Sequence, residues 1–470
     1  MYYRLKPGYV LRGWEKMPWA LVHRPENYVQ VLKQEEFQTL LFCDGVTDSG
    51  VEYLSDVMRT LLYKYEKEGI IEKTADRLPL KEDQFYQYFH NRYVNYIFWS
   101  VTGRCNFRCR HCYMNAPKGM LGELSNEEAI CLIGQMAQCG VLRVDITGGE
   151  PFVRSDFWQL IDCILHHKMV IGRVYTNGWF LNEKVLDEFE KRGMKPEFSI
   201  SFDGIGWHDW MRGVPGAEDA AINALMRCKE RGFPTSVEMC IHKGNWKVLR
   251  ETVNRMASLG VSEMKCAGVV DTELWEKYGE GNSLNFKEYM DTAIAYIPHF
   301  YEDGMPIDLQ IGGAVHLYKG SARYKLAADR YGGSEKCKNQ YLCGSARYAC
   351  YITPEGRLLP CLPMTACKEQ GLFPAIREQG LREGLSDSFY MRIVDSRVKD
   401  LLEVNSKCAA CGFKYRCGGG CRASALVREG SLMGCDPEMC AFYEGGYENR
   451  IRKTVDYAIE RYCISQKEIS

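Results

Sequence analysis

The spacing of the cysteines constrains this chain more than any other feature of its sequence. Its 470 residues include 22 cysteines, many of which fall in two dense groups. The first residues, MYYRLKPGYVLRGW, have neither the basic start nor the apolar core of a signal peptide, and no later stretch contains eighteen consecutive apolar residues. We therefore expect a cytoplasmic protein without a membrane span. Thiols stay reduced there, so metal binding explains the cysteines better than a disulfide framework does.

Length, composition and charge limit the fold and the partners. With 46% apolar residues, a chain of 470 residues suffices for two or three domains with sizeable cores. The formal net charge of -1 offers no strong attraction for nucleic acid or an anionic membrane, because such binding relies on clustered Lys and Arg. We therefore expect small molecules or peptides as partners, and neither nucleic acid nor membrane.

The first 75 residues are predicted to form a small winged-helix-like domain, followed by a linker at residues 76–94. A turn at Asp44–Gly45 separates two amphipathic runs, which indicate helices, and β-branched or aromatic runs before them indicate extended segments. The predicted extended segments are Tyr9–Leu11, Trp19–His23 and Tyr28–Lys33, and the predicted helices are Glu35–Phe42 and Val51–Glu68.

Residues 95–310 alternate between strand-like and helix-like segments, which predicts a parallel sheet with its chemistry at the C-terminal strand ends. Glycine and cysteine become dense over residues 311–446, which indicates a further domain, and residues 447–470 are predicted to form a closing helix. The six predicted strands of the central domain are Tyr96–Thr102, Leu142–Thr147, Ile171–Thr176, Glu197–Phe202, Thr235–Ile241 and Glu263–Gly268.

The first cysteine group follows the first strand of the central domain directly. Cys105, Cys109 and Cys112 are separated by three and then two residues, so one short loop can wrap their thiolates around an iron-sulfur cube. A four-iron cluster normally takes four protein thiolates, and three leave one iron open to the amino and carboxylate groups of S-adenosylmethionine (SAM). The competing interpretation of such a triplet is a zinc site or buried structural thiols.

Small and hydrogen-bonding residues end the next three strands, where a cofactor would need partners. Bare glycine backbone lets a ligand approach closely, and a glutamate can accept from an ammonium group. These residues are Gly148, Gly149, Glu150 and Pro151 after the second strand, Asn177 in Thr176-Asn177-Gly178 after the third, and Ser199 and Ser201 in the fourth.

The cysteine triplet, the Gly-Gly-Glu-Pro motif and the strand count resemble the radical SAM superfamily, in order, across residues 95–310. The resemblance implies an α/β fold with a partial (β/α)6 TIM-like barrel, in which the triplet binds the SAM-cleaving cluster. It also implies that Gly148 to Glu150 contact the methionyl amine and that Asn177 and Ser201 lie near the ribose or carboxylate. Arg212, in His208-Asp209-Trp-Met-Arg212-Gly213, resembles a position that helps to hold SAM. His111 replaces the aromatic residue that usually precedes the last cysteine.

The second cysteine group is similar to the SPASM extension of radical SAM enzymes that modify peptides and proteins. Its core has spacings of two, five and three residues, with glycines that permit tight folding around clusters. The resemblance implies two auxiliary four-iron clusters, the first held by Cys337, Cys343, Cys361 and Cys421, and the second by Cys408, Cys411, Cys417 and Cys440.

Two points of this ligand set stay open. Cys435 competes with Cys440 for the last position, and cluster one keeps an open iron for a substrate thiolate if Cys337 is not a ligand. Zinc knuckles are the alternative to clusters. Cys350 and Cys367 are left unassigned, whereas helix and strand patterns predict core positions for Cys43, Cys131, Cys139, Cys163, Cys228, Cys240, Cys266 and Cys463.

The N-terminal domain looks like a RiPP recognition element, a unit that binds the leader of a ribosomally made precursor peptide. Such units add the leader as a strand to an exposed sheet edge, which here is Tyr28–Lys33. A winged-helix DNA reader and a plain packing domain are the competing interpretations. The balanced charges of residues 1–75 argue against DNA.

Together these resemblances imply a radical SAM oxidoreductase that abstracts hydrogen from a precursor peptide and installs an intramolecular thioether, C–C or C–O crosslink. The cofactors do the chemistry, so no catalytic residues beyond the cluster ligands are predicted. The expected partners are the precursor peptide and an electron donor such as flavodoxin or ferredoxin. A sulfatase-maturase-type enzyme is less favoured, because that family has aspartate where this chain has Leu362. A non-catalytic iron-sulfur scaffold, a peptide carrier and a DNA-binding redox sensor are the non-enzyme alternatives.

Overall fold

The structure is a computed structural model that describes residues 1–24, 28–50, 54–116, 119, 121–270, 272–326, 328 and 331–464. Within these residues the strands form three sheets of three, four and eleven strands. The two small sheets belong to the N-terminal region, and the large one runs through the middle of the chain.

Two small sheets and two helices build the N-terminal region. Its elements are β1 (Tyr2–Leu5), β2 (Tyr9–Trp14), β3 (Met17–His23), β4 (Tyr28–Val31), α1 (Gln34–Leu41), β5 (Asp44–Asp48), α2 (Asp56–Lys67), β6 (Ile71–Thr74) and β7 (Gln87–Phe89). The strand orders are β5-β1-β6 and β4-β3-β2-β7, so β4 is an edge strand. Leu5, Leu11, Leu40 and Tyr65 are buried between the elements of this region.

The predicted strands and helices of this region are present, and the structure adds the unpredicted strands β1 and β6 and changes three further points. Asp44–Gly45 is not simply a turn, because Asp44 begins β5, where its carboxylate accepts from the N–H groups of Val46 and Thr47. The second helix begins at Asp56, capped by Ser55, and the start predicted at Val51 lies outside the described residues. The predicted linker also contributes β7, which pairs with β2.

The six predicted strands of the central domain are confirmed and pair in parallel, in sequence order. They are β8 (Tyr96–Ser100), β9 (Arg143–Thr147), β10 (Val170–Thr176), β11 (Glu197–Ser201), β12 (Thr235–Ile241) and β13 (Glu263–Gly268). The helices of this region are α3 (Asn126–Gln138), α4 (Phe157–His166), α5 (Glu183–Lys191), α6 (His208–Arg212), α7 (Ala217–Glu230), α8 (Leu249–Ser258), α9 (Glu273–Tyr278) and α10 (Phe286–Glu302).

The sheet extends beyond the predicted six strands at both edges. Strand β14 (Asp308–Ile311) pairs in parallel with β13, and the antiparallel strands β15 (Val315–Leu317) and β16 (Tyr324–Leu326) follow it. At the other edge, β17 (Ala349–Ile352) pairs in parallel with β8 and carries β18 (Leu358–Leu359). The cysteine-rich region therefore contributes strands to the sheet whose strand β8 leads into the first cysteine loop.

Short helices dominate the rest of the cysteine-rich region, and a longer one closes the described chain. They are α11 (Ile376–Gln379), α12 (Leu381–Gly384), α13 (Ser388–Asp395), α14 (Val398–Val404), α15 (Ser406–Ala410), α16 (Lys414–Cys417), α17 (Arg422–Glu429), α18 (Pro437–Glu444) and α19 (Tyr447–Ile459). The predicted closing helix is α19, which packs against α10 and continues into a π-helical turn. None of the described helices is long and apolar enough to cross a membrane.

Candidate active site

The cysteine triplet lies in the loop after β8, at the C-terminal end of the parallel strands. The glycine pair after β9 packs directly beneath it. The N–H of Gly149 donates to the carbonyl of Thr102, and the N–H of Glu150 donates to that of Arg104, both at 2.9 Å. A Cβ atom at Gly149 would lie 2.2 Å from the carbonyl oxygen of Arg104. Only glycine fits there, so the two predicted motifs depend on each other.

The C-terminal end of α6 holds the other side of the cysteine loop. The N–H groups of Arg108 and Arg110 donate to the carbonyls of Arg212 and Met211 at 3.2 and 2.9 Å. Gly213, with a φ of 67°, ends α6, and a Cβ atom there would lie 2.5 Å from the carbonyl oxygen of Arg108. The loop is thus fixed by backbone bonds from two segments that are distant in sequence.

The three thiols are partly buried and receive hydrogen bonds from their surroundings. The N–H of Phe107 donates to Cys105 Sγ at 3.4 Å, and that of Ala116 donates to Cys112 Sγ at 3.5 Å. Burial raises the pKa of Cys105 to about 12 and that of Cys109 to about 11. A coordinated metal reverses such a shift, because its charge stabilises the thiolate.

The three sulfurs of the triplet are too far apart, as placed, to share one zinc ion. Thiolates of one tetrahedral zinc site lie about 3.8 Å apart, given Zn–S bonds of about 2.3 Å. Among the described residues, the only three metal-binding side chains whose ligand atoms all lie within 4.8 Å of one another are His111, Asp203 and Cys240. At least two sulfurs of the triplet are therefore more than 4.8 Å apart, which is wider than thiolates on one zinc ion.

Glu150 organises the second motif from within the protein. Its buried carboxylate accepts from the N–H of Asn177 at 2.8 Å, from the hydroxyl of Thr176 at 2.9 and 3.0 Å, and from the N–H of Phe152 at 3.3 Å. Burial raises the pKa of Glu150 to about 7, and these hydrogen bonds oppose the rise. The side chain thus connects the ends of β9 and β10. Pro151 follows it in the first turn of a short 3₁₀-helix.

Asn177 connects the end of β10 to the cysteine loop. Its side-chain amide donates to Asn106 Oδ1 at 2.8 Å and lies 3.9 Å from Cys105 Sγ. Ser199 and Ser201 alternate with the core residues Phe198 and Ile200 on β11, so both serines lie on the opposite face of the sheet. The hydroxyl of Ser199 is buried and has no hydrogen-bond partner among the described residues.

A buried polar group next to the triplet was not predicted from the sequence. His111, Asp203, Arg212 and Cys240 meet beside the ends of β11 and β12. Burial opposes ionisation of Asp203, but Arg212 beside it holds the pKa of this carboxyl well below its usual range. The signal in the sequence was an aspartate directly after a strand in Ser201-Phe-Asp203-Gly204.

Five cysteines of the second group surround one cavity of about 290 Å³: Cys408, Cys411, Cys417, Cys435 and Cys440. The sulfurs of Cys408 and Cys435 are 3.7 Å apart, in van der Waals contact. Thiolates on different corners of one cube point away from each other, so these two sulfurs are too close to bind separate irons as placed.

The remaining cysteines of the second group lie elsewhere. Cys361 is partly buried, and besides desolvation the nearby Cys421 and Cys343 raise the pKa of its thiol. Cys337 is buried beside Gly332, and Cys350 and Cys367 are also buried. All 22 cysteines lie in the described part of the chain and are free.

The prediction of core positions for eight other cysteines is only partly right. Cys43, Cys139, Cys228 and Cys266 are buried. Cys131 is exposed, because it lies on the outer face of α3, and three others are only partly buried: Cys163, Cys240 and Cys463.

Comparison with known proteins identifies the central region. Residues 99–256 match the family model of the radical SAM superfamily. The chain contains a radical SAM domain. This domain indicates an enzyme, with SAM and a four-iron cluster as cofactors.

The similarity of this radical SAM enzyme to individual proteins extends beyond the domain. It is 25% identical over 366 residues to the AdoMet-dependent heme synthase of Methanosarcina barkeri, which covers 74% of this chain and 97% of that protein. It is 27% identical to the mycofactocin maturase MftC of Mycobacterium tuberculosis, over 72% of this chain and 81% of that one. The crystal structure of Streptococcus suis SuiB bound to S-adenosylmethionine superposes with a TM-score of 0.57 at 15% identity, over 92% of this chain and 98% of SuiB.

Proposed function

We propose that this protein is a peptide maturase: a radical SAM enzyme that abstracts hydrogen from a ribosomally made precursor peptide and installs an intramolecular thioether, C–C or C–O crosslink. When bound, the cluster and SAM supply the 5'-deoxyadenosyl radical that abstracts the hydrogen. The observation that carries the proposal is the three-thiol loop packed on Gly149, which leaves one cluster corner for SAM.

The residues of this chain hold and orient the cofactors. Cys105, Cys109 and Cys112 are the proposed cluster ligands, with Gly148 to Pro151 at the methionyl amine. Glu150 keeps this loop in place through Asn177 and Thr176. Asn177, Ser199, Ser201 and Arg212 are the further proposed SAM contacts. In this scheme the six strands β8 to β13 act as a partial (β/α)6 TIM-like barrel.

The edge strand β4 supports a peptide as the substrate. Its residues Tyr28 and Val31 are 57% and 66% exposed, and within the described residues β4 pairs with β3 alone. An exposed edge of this kind binds an extended peptide as an added strand. We therefore assign leader binding to a winged-helix-like recognition domain at residues 1–75. The likeness to SuiB supports this, because it covers 92% of the chain and so must reach into the N-terminal region.

The cysteine-rich region could supply the electron acceptor that a crosslinking reaction needs. Forming a bond after hydrogen abstraction releases one electron and one proton from the peptide, and an auxiliary cluster can accept the electron. We propose residues 311–446 as a SPASM domain with two such clusters, the first held by Cys337, Cys343, Cys361 and Cys421, and the second by Cys408, Cys411, Cys417 and Cys440. The contact of Cys435 with Cys408 favours Cys440 as the last ligand.

We further propose a cytoplasmic location, where these thiols stay reduced, and flavodoxin or ferredoxin as the electron donor.

Anaerobic reconstitution tests the proposal directly. We expect about twelve irons per chain, three clusters of four. With dithionite and SAM, we expect 5'-deoxyadenosine, which the triple variant Cys105→Ala, Cys109→Ala, Cys112→Ala no longer releases. A precursor encoded by a neighbouring reading frame should then lose the mass of two hydrogen atoms for each crosslink.

Zinc in place of iron, or no SAM cleavage, would contradict the proposed enzyme and favour an iron-sulfur scaffold. Consumption of an iron porphyrin but of no peptide would favour a reaction like that of the heme synthase relative.

A further inference from the structure

Arg212 connects a buried carboxylate to one of the three thiols of the triplet. Its Nε lies 2.7 Å from Asp203 Oδ2 in an ion pair, and its Nη1 donates to Cys109 Sγ at 3.8 Å. The arginine is 8% exposed and the aspartate is fully buried. One guanidinium therefore faces a carboxylate and a thiol at the same time, out of water.

Asp203 is held rigidly, so its position sets that of Arg212. Its Oδ1 accepts from the N–H of Cys240 at 3.0 Å, and its carbonyl accepts from Asn245 at 2.7 Å. Its own N–H donates to His208 Nδ1 at 2.9 Å. Strand β12 thus holds the carboxylate, while the loop after β12 and α6 hold the backbone of Asp203. A side chain anchored in this way keeps its partner in one geometry.

The other arginines near the triplet bind elsewhere. Arg104 pairs with Glu123, and Arg110 donates to the carbonyls of Trp210 and Tyr278. Among the described residues, Arg212 is the only cation hydrogen-bonded to a thiol of the triplet. A positive donor on a ligand sulfur stabilises the reduced, more negative cluster, and such hydrogen bonds are one of the factors that set cluster potentials.

We propose that Asp203 and Arg212 tune the reduction potential of the SAM-binding cluster. Arg212 is a positioning residue whose positive charge raises this potential through Cys109. Asp203 holds Arg212 in place, and its negative charge partly offsets the effect of the arginine on the potential. The inference rests on the proposed function, because it needs the cluster on the triplet. It differs from a role of Arg212 in holding SAM, since it acts on the cluster before SAM binds.

The test is an anaerobic redox titration of the full-length holoenzyme without SAM, followed by electron paramagnetic resonance. The signal of this cluster is the one missing from the triple cysteine variant. We expect Arg212→Gln to shift its midpoint to a more negative value by at least about 59 mV, a tenfold change in the one-electron equilibrium. Arg212→Lys should recover part of the shift, because it keeps the charge but not the planar fork. Arg192→Gln is the matched control: it also removes one arginine charge, but this arginine pairs with Asp162 and Glu188 on α4 and α5, so the variant should titrate like the unmodified protein.

Asp203→Asn gives the decisive second variant. It keeps the size of the side chain but removes the negative charge beside Arg212, so the midpoint should move to a more positive value, opposite to Arg212→Gln. Shifts of the same sign in both variants, or an Arg212→Gln midpoint equal to that of Arg192→Gln, would overturn the inference. If Arg212→Gln loses its iron, Asp203→Asn decides alone, and an unchanged or lower midpoint counts against the inference. If the unmodified protein binds no cluster, the proposed function itself fails.

Discussion

The backbone N–H of Asn177 donates to the carboxylate of Glu150 at 2.8 Å, 27 residues away in sequence. This bond joins the ends of two adjacent parallel strands at the point where the cysteine loop rests on the sheet. Asn177 also contacts the cysteine loop through its side chain. A shift of Glu150 would therefore move the cysteine loop through Asn177 alone.

We expect Glu150→Gln to destabilise the protein and to abolish release of 5'-deoxyadenosine. The amide that replaces one carboxylate oxygen cannot accept from its neighbours, which leaves a buried donor unpaired at a cost of about 1–3 kcal/mol. Denaturant unfolding of the cluster-free protein measures this cost. Glu123→Gln, which affects only an exposed pair with Arg104, should stay close to the unmodified protein. Equal stability of the two variants would contradict the assigned role.

The raised pKa of Glu150 predicts a pH dependence of stability. Its value of about 7 in the folded protein exceeds the ordinary 4.5, so the folded state binds the proton more tightly than the unfolded state. The proton on Glu150 therefore contributes fully to the free energy of unfolding below pH 4.5. This contribution, about 3 kcal/mol in all, is lost as the pH rises to 7. Denaturant unfolding between pH 5 and 8 should show this decline, and Glu150→Gln should lack it. Parallel pH profiles for the two proteins would rule out the shift.

Gly149→Ala should disrupt the cysteine loop without unfolding the sheet. The new Cβ would lie 2.2 Å from the carbonyl oxygen of Arg104, which forces the loop away from the strand ends. We expect the loss of about four irons per chain by colorimetric iron assay. Gly134→Ala is the matched control, because nothing lies within 4 Å of its added atom in α3. The control should gain about 1 kcal/mol of stability and keep its iron.

The two candidate last ligands of auxiliary cluster two can be separated by single substitutions. We expect Cys440→Ala to lose up to about four irons, and Cys435→Ala to keep a full complement, because a four-iron cluster takes four thiolates. Iron and sulfide counts after anaerobic reconstitution measure the difference. Iron loss in Cys435→Ala alone would reverse the assignment.

Leader binding at β4 can be tested at the backbone. Leu32 N donates to the Trp19 carbonyl, and the alternation of an antiparallel ladder then directs the N–H of Val31 to the open edge. Val31→Pro removes this donor, so we expect at least a tenfold weaker binding of the precursor peptide in fluorescence anisotropy, with SAM cleavage retained. Val31→Ala keeps the N–H and should bind within a factor of about three. If both variants bind equally well, the peptide uses another surface.

The strands and the positions of the cysteine and glycine loops after them were predictable because each carries a local signal. Runs such as Arg143–Thr147 are bounded by turn residues, and the glycine pair and the triplet have fixed spacings. Strands β14 and β17, which flank the six predicted strands, have only four residues each, so pairing with neighbours defines them rather than their own sequence pattern. The role of Asp203 was not predictable, because its partners Arg212 and Cys240 are brought to it only by the fold.

The segments that support the cysteine loop also bear on whether a cluster can be inserted before or after the protein folds. Cys105 to Cys112 leave the ribosome before Gly149, before Asn177 and well before Gly213, all of which the loop needs as supports. A nascent chain that has just exposed the triplet has no scaffold to shape it. With the proposed ligands, we therefore expect cluster insertion to follow folding of the sheet through α6, into a finished protein surface rather than an emerging peptide.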